Sequence, residues 1–376
     1  MPTLEITSNV SQFKALQDEW NALAERFQTP LLRHEWFVAC LQAYGEGREF
    51  ALFTAWENGR LRAAAPFVID RDALVPRLSV LGHESTEPSG FIYADDAALD
   101  VVSKGIVAYG LPAMVPRLAA DSPELHSLRA CTGLHGAWFV RSGNTATATL
   151  PLACDWPTLE SRMSSSERSK IRGKRKRAER QGLVTFEMVS PSEATVDRHL
   201  GDIYAVEGAG WKSRTGTAIL SDPRIESLFT DFGRKAAKLG ILRLFFMRIG
   251  DTTVAVHMML EYAGRLWALK QGYDERWADC APGILLAHET IRYACEKRFA
   301  ALEFLGSAEK WQQRWPVELR AYSRVRFYPL SLRSIVAVCD DAFRLPLNRM
   351  RSKWRSKSGS LSEFIRPASA AKVKEP

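Results

Sequence analysis

No C-x-x-C pair, no H-E-x-x-H and no long apolar run occurs among the 376 residues of this chain, and each absence closes a class of function. The six cysteines (Cys40, Cys131, Cys154, Cys280, Cys295 and Cys339) are scattered, which argues against a zinc site or a disulfide framework and for reduced thiols. The seven histidines are equally dispersed, so no metal is expected. Without a run of about 18 apolar residues, no helix is expected to cross a membrane. The start, Met1-Pro2-Thr3-Leu4-Glu5, lacks the basic-then-apolar order of a signal peptide, and a cytoplasmic location is expected.

What is present is charge in two places. Arg162 to Arg180 holds nine basic residues against two acids, and Phe343 to Lys357 holds six against none. The net charge of +8 therefore sits in these two segments, which is not a general nucleic-acid footprint. The first segment has few apolar residues beyond Met163 and Ile171. It reads either as a solvated helix or as a wall for an anionic substrate. In the second, Phe343, Leu347, Met350 and Trp354 recur at helical spacing among basic residues, with Pro346 interrupting. That pattern suits docking on the protein body or resting on an anionic membrane face.

The length suggests two domains. The first half reads as a strand near Leu4–Ile6 and a helix with Phe13, Leu16, Trp20, Leu23 and Phe27 on one face. A helix over His34–Tyr44 follows, then two strands joined by Asn58-Gly59, a strong hairpin signal. From Asp70 to Leu150 the pattern is broken by Pro and Gly. A polar helix over Thr158–Gln181 bridges to the second half. There a strand, Val184–Val189, leads to Ser190-Pro191-Ser192-Glu193, which reads as an N-cap with a capping box. Val196, Leu200, Ile203, Tyr204 and Trp211 then recur at helical spacing, and Glu207 falls on the same apolar face. A second helix starts at Asp222-Pro223, and three strands form a meander, Ile241–Ile249, Thr253–Tyr262 and Arg265–Tyr273. A helix from Pro282, a strand at Ala301–Leu305, a short helix Ser307–Trp315 and a strand Tyr322–Tyr328 complete the order. The expected divisions are 1–155, the basic linking helix 156–182, 183–330 and a basic amphipathic tail 331–376.

A carboxylate aimed at a core needs a partner or a task. Glu207 is either a structural acid paired with a nearby Lys or Arg, or a general base for an amine. Gly208 and Gly210 weaken the helix beside it and could open room for a substrate. His257 alternates with Ala255 and Met259 on one strand face and reads as a core histidine. The start of the helix at Pro282-Gly283 offers backbone N–H groups to a phosphate.

The order β-α-α-β-β-β-α-β-α-β in the second half resembles the GNAT acyltransferase fold. The strings Ser169-Lys170-Ile171-Arg172, Glu207 with Trp211-Lys212, Gly272-Tyr273-Asp274, Ala281-Pro282-Gly283-Ile284-Leu285-Leu286 and Phe304-Leu305-Gly306 with Lys310 and Trp315 resemble its CelD-like branch, close to the Fem-type peptidoglycan transferases. In the first half His34-Glu35-Trp36-Phe37 and Gly59-Arg60-Leu61 are similar too. The resemblance implies an α/β protein of two GNAT-like domains, each a mixed, mostly antiparallel sheet flanked by helices. Acetyl-CoA or another acyl-CoA would bind in the second domain, with its pyrophosphate at the Pro282 helix and Lys270, Gln271, Ala281, Gly283 and Ile284 around it. Glu207 would act as base, with Tyr273 or Lys310 near the leaving thiolate and an oxyanion donor on the backbone between Lys270 and Tyr273. A solvated surface charge remains the other reading of Lys310. Trp211, Lys212, Asp274 and Trp36 would contact the acceptor, an amine of an amino sugar, amino acid or envelope precursor. The Fem-type relatives imply an alternative donor, an aminoacyl-tRNA held by the basic helix. A non-catalytic adaptor in polysaccharide export is a third reading.

Overall fold

The computed structural model describes residues 1–343, apart from 86 and 89. The strand β1 (Thr3–Thr7) precedes three helices, α1 (Val10–Ala15), α2 (Gln17–Ala24) and α3 (His34–Tyr44). The strands β2 (Glu49–Glu57), β3 (Arg60–Asp70), β4 (Arg77–Val80) and β5 (Ile92–Tyr93) follow. Next come α4 (Asp96–Ala108), β6 (Ala113–Ala119), α5 (Pro123–Leu134) and the long β7 (Trp138–Pro151). The second half runs α6 (Trp156–Ser161), α7 (Ser165–Glu179), β8 (Val184–Val189), α8 (Val196–Gly208), α9 (Trp211–Thr215) and α10 (Pro223–Lys238). It ends with β9 (Leu242–Ile249), β10 (Thr252–Tyr262), β11 (Arg265–Tyr273), α11 (Pro282–Glu296), β12 (Ala301–Glu303) and β13 (Glu318–Tyr328).

The strands make one mostly antiparallel sheet in the order β1-β2-β3-β4-β6-β13-β7-β12-β11-β10-β9-β8, with β5 beside β3. Two pairs are parallel, β4 with β6 and β11 with β12. At the centre β13, from the second half, lies between β6 and β7 of the first, and β7 lies between β13 and β12. The sheet is therefore continuous across residues 155 and 183.

Alternation of side chains distributes the core, since successive strand residues face opposite sides. In β2, Phe50 and Leu52 point to one cluster and Ala51 and Phe53 to another. In β9, Leu244 and Phe246 join the first of these, while Phe245 and Met247 face a third. The shared cluster is roofed by α1–α3 from one half and α8 and α10 from the other, where Trp36 meets Phe232 edge-on at 4.9 Å. The hairpin at Asn58-Gly59 forms as expected, with φ of 52° and 70°.

Two local expectations fail, and a third is met in altered form. There is no capping box at Ser190: Thr195 Oγ1 accepts the Ser192 N–H and Val196 N–H bonds to Ser192 O, so a turn precedes a helix that starts at Val196. The polar helix over Thr158–Gln181 is two helices. Ser164 caps α7, and the Arg168 guanidinium donates to the carbonyls of Glu160 and Ser161 at the end of α6 and of Met163 just after it. The short helix expected over Ser307–Trp315 forms as a 3-10 helix, Lys310–Arg314.

Residues 332–343 are helical and pack on the first half. Arg77 reaches Asp340 at 2.8 Å, and the Tyr328 hydroxyl donates to Asp341 at 2.6 Å. The tail expectation for Leu347, Met350 and Trp354 lies outside the described residues.

Candidate active site

The sheet opens where β11 leaves β12. The two strands pair only from Arg265–Ala301 to Trp267–Glu303. Immediately beyond, a register shift at Met258/Met259 of β10 leaves an extra residue on β11 between Ala268 and Lys270. Such a bulge bends its strand and re-aims its side chains. Leu269 accordingly packs in the α8/α10 cluster while Ala268 packs in the α11 cluster. Lys270, opposite Met258, sits with its ammonium 4.4 Å from the centre of the Phe229 ring. The strands part around a cavity of about 560 Å³.

One wall of this cavity is the end of α8. Gly272 lets it approach: a Cβ there would sit 2.6 Å from the Glu207 Cα. Glu207 is 2 % exposed. Its Oε2 accepts the Ile219 N–H at 2.9 Å, and the Lys212 ammonium lies 2.9 Å from Oε1. Lys212 also donates to the Gln271 carbonyl at 2.6 Å, which ties α9 to β11 across the cleft mouth. The chain breaks between α8 and α9 at Ala209-Gly210, where a Cβ on Gly210 would meet the Tyr273 carbonyl at 2.9 Å.

The opposite wall is the start of α11. Ala281 turns into it with φ 48°; no side chain caps it and no acid lies in its first turn. Such an end presents N–H groups and positive partial charge to an anion. Against it lies α7, whose Lys174 and Arg177 donate to the Asp279 carbonyl at 2.8 and 3.3 Å. Arg175 pairs with Glu289 of α11 and lies over the Phe186 ring. The basic helix is thus docked beside this helix start.

The floor is made across the halves. Glu87, buried at 6 % exposure, accepts the Gly306 N–H at 3.1 Å, and Arg117 of β6 donates to the Gly306 carbonyl at 2.6 Å. Gly306 has φ 48°, so both of its backbone groups are held in a left-handed turn by side chains of the first half. Burial pushes the Glu87 carboxyl up, with Lys270, the Gly306 N–H and Arg117 opposing. Burial pushes the Lys270 ammonium down; Glu87 counters this and Lys212 adds to it. His257 also lines the cavity. It bonds Thr290 Oγ1 at 3.0 Å, and burial, with Lys212, lowers it to about 3. It is a neutral, satisfied histidine, as its strand position suggested.

Of the residues marked in the sequence, Glu207, Lys212, Lys270, Gln271, Tyr273, Ala281, Gly283 and Ile284 line this cavity together. Pro282 is buried at the first position of α11. Lys310 is exposed on its 3-10 turn, and the lining there is Glu309, Trp311, Gln312 and Arg314. Asp274 is 2 % exposed and spends its carboxylate on Arg276 and on the N–H of that residue, capping the turn Glu275–Cys280. Trp36 belongs to the core against Phe232, away from the cleft. Trp211 begins α9. Glu87 and Arg117 were missed; neither stands in a pattern that spacing could flag.

The family of acetyltransferase (GNAT) domains matches residues 165–313, from the start of α7 through the last 3-10 turn. No curated protein matches the chain by sequence. Among solved structures, FemX is similar with a TM-score of 0.54 at 13% identity, over 85% of this chain and 96% of that one. The C-terminal domain of a protein assigned as a lysylphosphatidylglycerol synthetase from Agrobacterium fabrum is similar at 0.52 and 9% identity, over 89% and 97%. A conserved protein from Bacteroides thetaiotaomicron follows at 0.52 and 11%, over 87% and 100%. At these identities the likeness is one of fold.

Proposed function

Given a GNAT-type acetyltransferase domain over residues 165–313, which makes this protein a transferase, we propose that it is an acyl-CoA-dependent N-acyltransferase. Its acceptor is an amine on an amino sugar, an amino acid or a cell-envelope precursor. The observation that carries this reading is the parted cleft between β11 and β12. An uncapped helix start stands on one side, and a buried carboxylate–ammonium pair on the other.

The residues present fit a phosphorylated donor. The amides around Gly283 would hold its pyrophosphate, with α7 adding positive charge beside them, and the thioester supplies an activated acyl carbon. As the amine adds to that carbon, Glu207 takes its proton and the C–N bond forms. The C–S bond then breaks, and Tyr273 gives a proton to the departing sulfur. Burial and Glu275 raise the Tyr273 hydroxyl, so it carries its proton at neutral pH. The backbone of Lys270 to Tyr273 borders the cleft and would supply the oxyanion donor. No covalent intermediate is needed: Cys280 is wholly buried and its thiol is raised by burial.

The docked basic helix favours one other donor, an aminoacyl-tRNA, whose backbone would run along α7. Transfer that is lost on ribonuclease treatment would select it. For the acyl-CoA reading, calorimetry with acetyl-CoA on the wild type and on Gly283→Glu is the test. A carboxylate at that helix start opposes the phosphates and lowers affinity at least about tenfold, about 1.4 kcal/mol. Equal affinity in both proteins removes the phosphate site from α11. No binding to either favours the tRNA donor.

A further inference from the structure

The helical segment 332–343 docks the wrong way round for a surface helix. Its acidic side, with Ser334, Ala337, Asp340 and Asp341, is buried against Arg77, Arg326 and Tyr328. Its apolar side is turned outward: Leu332 is 84 % exposed, Phe343 is 75 % exposed, and Ile335 and Val336 are exposed between them. Positions 332, 335, 336 and 343 fall within one stripe of a 3.6-residue helix, with the buried positions opposite. Leu330, exposed just before the helix, lies beside Gly136, and Trp138, opposite Tyr328 in the β7–β13 ladder, is exposed as well. Exposed apolar side chains therefore also stand at this end of the β7–β13 ladder. An exposed apolar stripe of this kind marks an interaction site.

The charge that follows it selects the occupant. The 33 residues beyond, 344–376, hold nine basic residues and two acidic ones, beginning at Arg344 next to Phe343. An apolar stripe bordered by a polybasic stretch with Trp354 in it has the composition of an interfacial anchor. A self-association face would gain nothing from seven excess positive charges on each copy, which repel. We propose that the outward side of helix 332–343, with the basic residues after it, seats the protein on an anionic phospholipid surface. The site itself stays in water.

The test is co-sedimentation of the full chain with phosphatidylcholine vesicles, with and without phosphatidylglycerol, alongside the triple variant Leu332→Ser, Ile335→Ser, Phe343→Ser. All three side chains are exposed, so melting of the variant should match the wild type and separate binding from folding. The wild type should bind the anionic vesicles, weaken as salt rises, and bind neutral ones poorly. The triple variant should bind at least about tenfold less tightly, about 1.4 kcal/mol. Undiminished binding by the variant would assign attachment to the basic residues alone and overturn the proposal. So would a wild type that ignores vesicles and forms a dimer that the variant dissolves, which gives the face to a second copy.

Discussion

Replacing Glu207 with Gln separates a catalytic carboxylate from a structural one, because the structure bounds the structural cost. Gln can still accept the Ile219 N–H that Oε2 now accepts at 2.9 Å. What is lost is the charge facing the Lys212 ammonium at 2.9 Å. Breaking a buried pair costs about 3–5 kcal/mol when the survivor is stranded. Lys212 is not stranded: its side chain is 24 % exposed and keeps the Gln271 carbonyl at 2.6 Å. The expected loss is therefore about 1–3 kcal/mol, the range of a hydrogen bond to a charged group. Against a stability of roughly 5–15 kcal/mol, nearly all of the variant remains folded at 25 °C. Unfolding then cannot account for a large fall in rate. A base removed from the amine step lowers kcat by about 10²–10⁴. Turnover, acetyl-CoA affinity and denaturant unfolding should be measured on the same preparation. Affinity should hold, since Glu207 stands across the cleft from the α11 start. Full turnover in a stably folded Glu207→Gln protein would strike Glu207 from the mechanism and leave it as the tie between α8 and α9.

Gly272→Ala places a Cβ 2.6 Å from the Glu207 Cα, so α8 must move; the expected cost is about 1–3 kcal/mol by denaturant titration, and unchanged stability would contradict the close packing. His257, buried and lowered to about 3 from 6.5, contributes stability that is present above its unfolded value and lost as pH falls towards the folded one. The loss should run at about 1.4 kcal/mol per pH unit across that window, and His257→Asn should flatten the slope; an equal slope in both proteins refutes the assignment. Glu87 has the opposite sign: its raised carboxyl contributes stability below the unfolded value that is lost as pH rises through the folded one. Glu87→Gln, which can still accept the Gly306 N–H, should remove that loss, as unfolding followed across pH would show.

What the sequence made legible was local and periodic. Asn58-Gly59 needs no tertiary information, because the pair itself supports the positive φ that the hairpin requires. Glu207 was visible because Leu200, Ile203 and Tyr204 fixed which side of α8 is buried. The string Gly272-Tyr273-Asp274 was visible as a motif, but its members do different work: Gly272 makes room, Tyr273 lines the cavity and Asp274 caps a turn. Trp36 misled for the same reason, since an aromatic at the start of a helix is as useful in a core as in a site. Ser190-Pro191-Ser192-Glu193 has the composition of a cap, yet the Thr195 hydroxyl competes for the Ser192 N–H and delays the helix. Glu87 and Gly306 are 219 positions apart, and no spacing rule reaches that far.

The strand order ties the half that holds most of the acetyltransferase match to the other half. By the sheet order, α4 stands to the parallel pair β4–β6 as α11 stands to β11–β12: each helix leads into the second strand of its pair. The two helix starts have opposite chemistry. Asp95 caps α4 with its own carboxylate and Asp96 follows in the first turn, so that end already holds negative charge and repels a phosphate. The start of α11 has neither. A phosphorylated donor is less favoured at the equivalent place in the first half. That half contributes instead through β6 and the loop before β5, whose Arg117 and Glu87 clamp Gly306 from both sides of its peptide unit. Because β13 completes the ladder next to β6, any shift of one half against the other would move that clamp and the cavity floor with it. The cleft is lined mainly by one half and braced by the other.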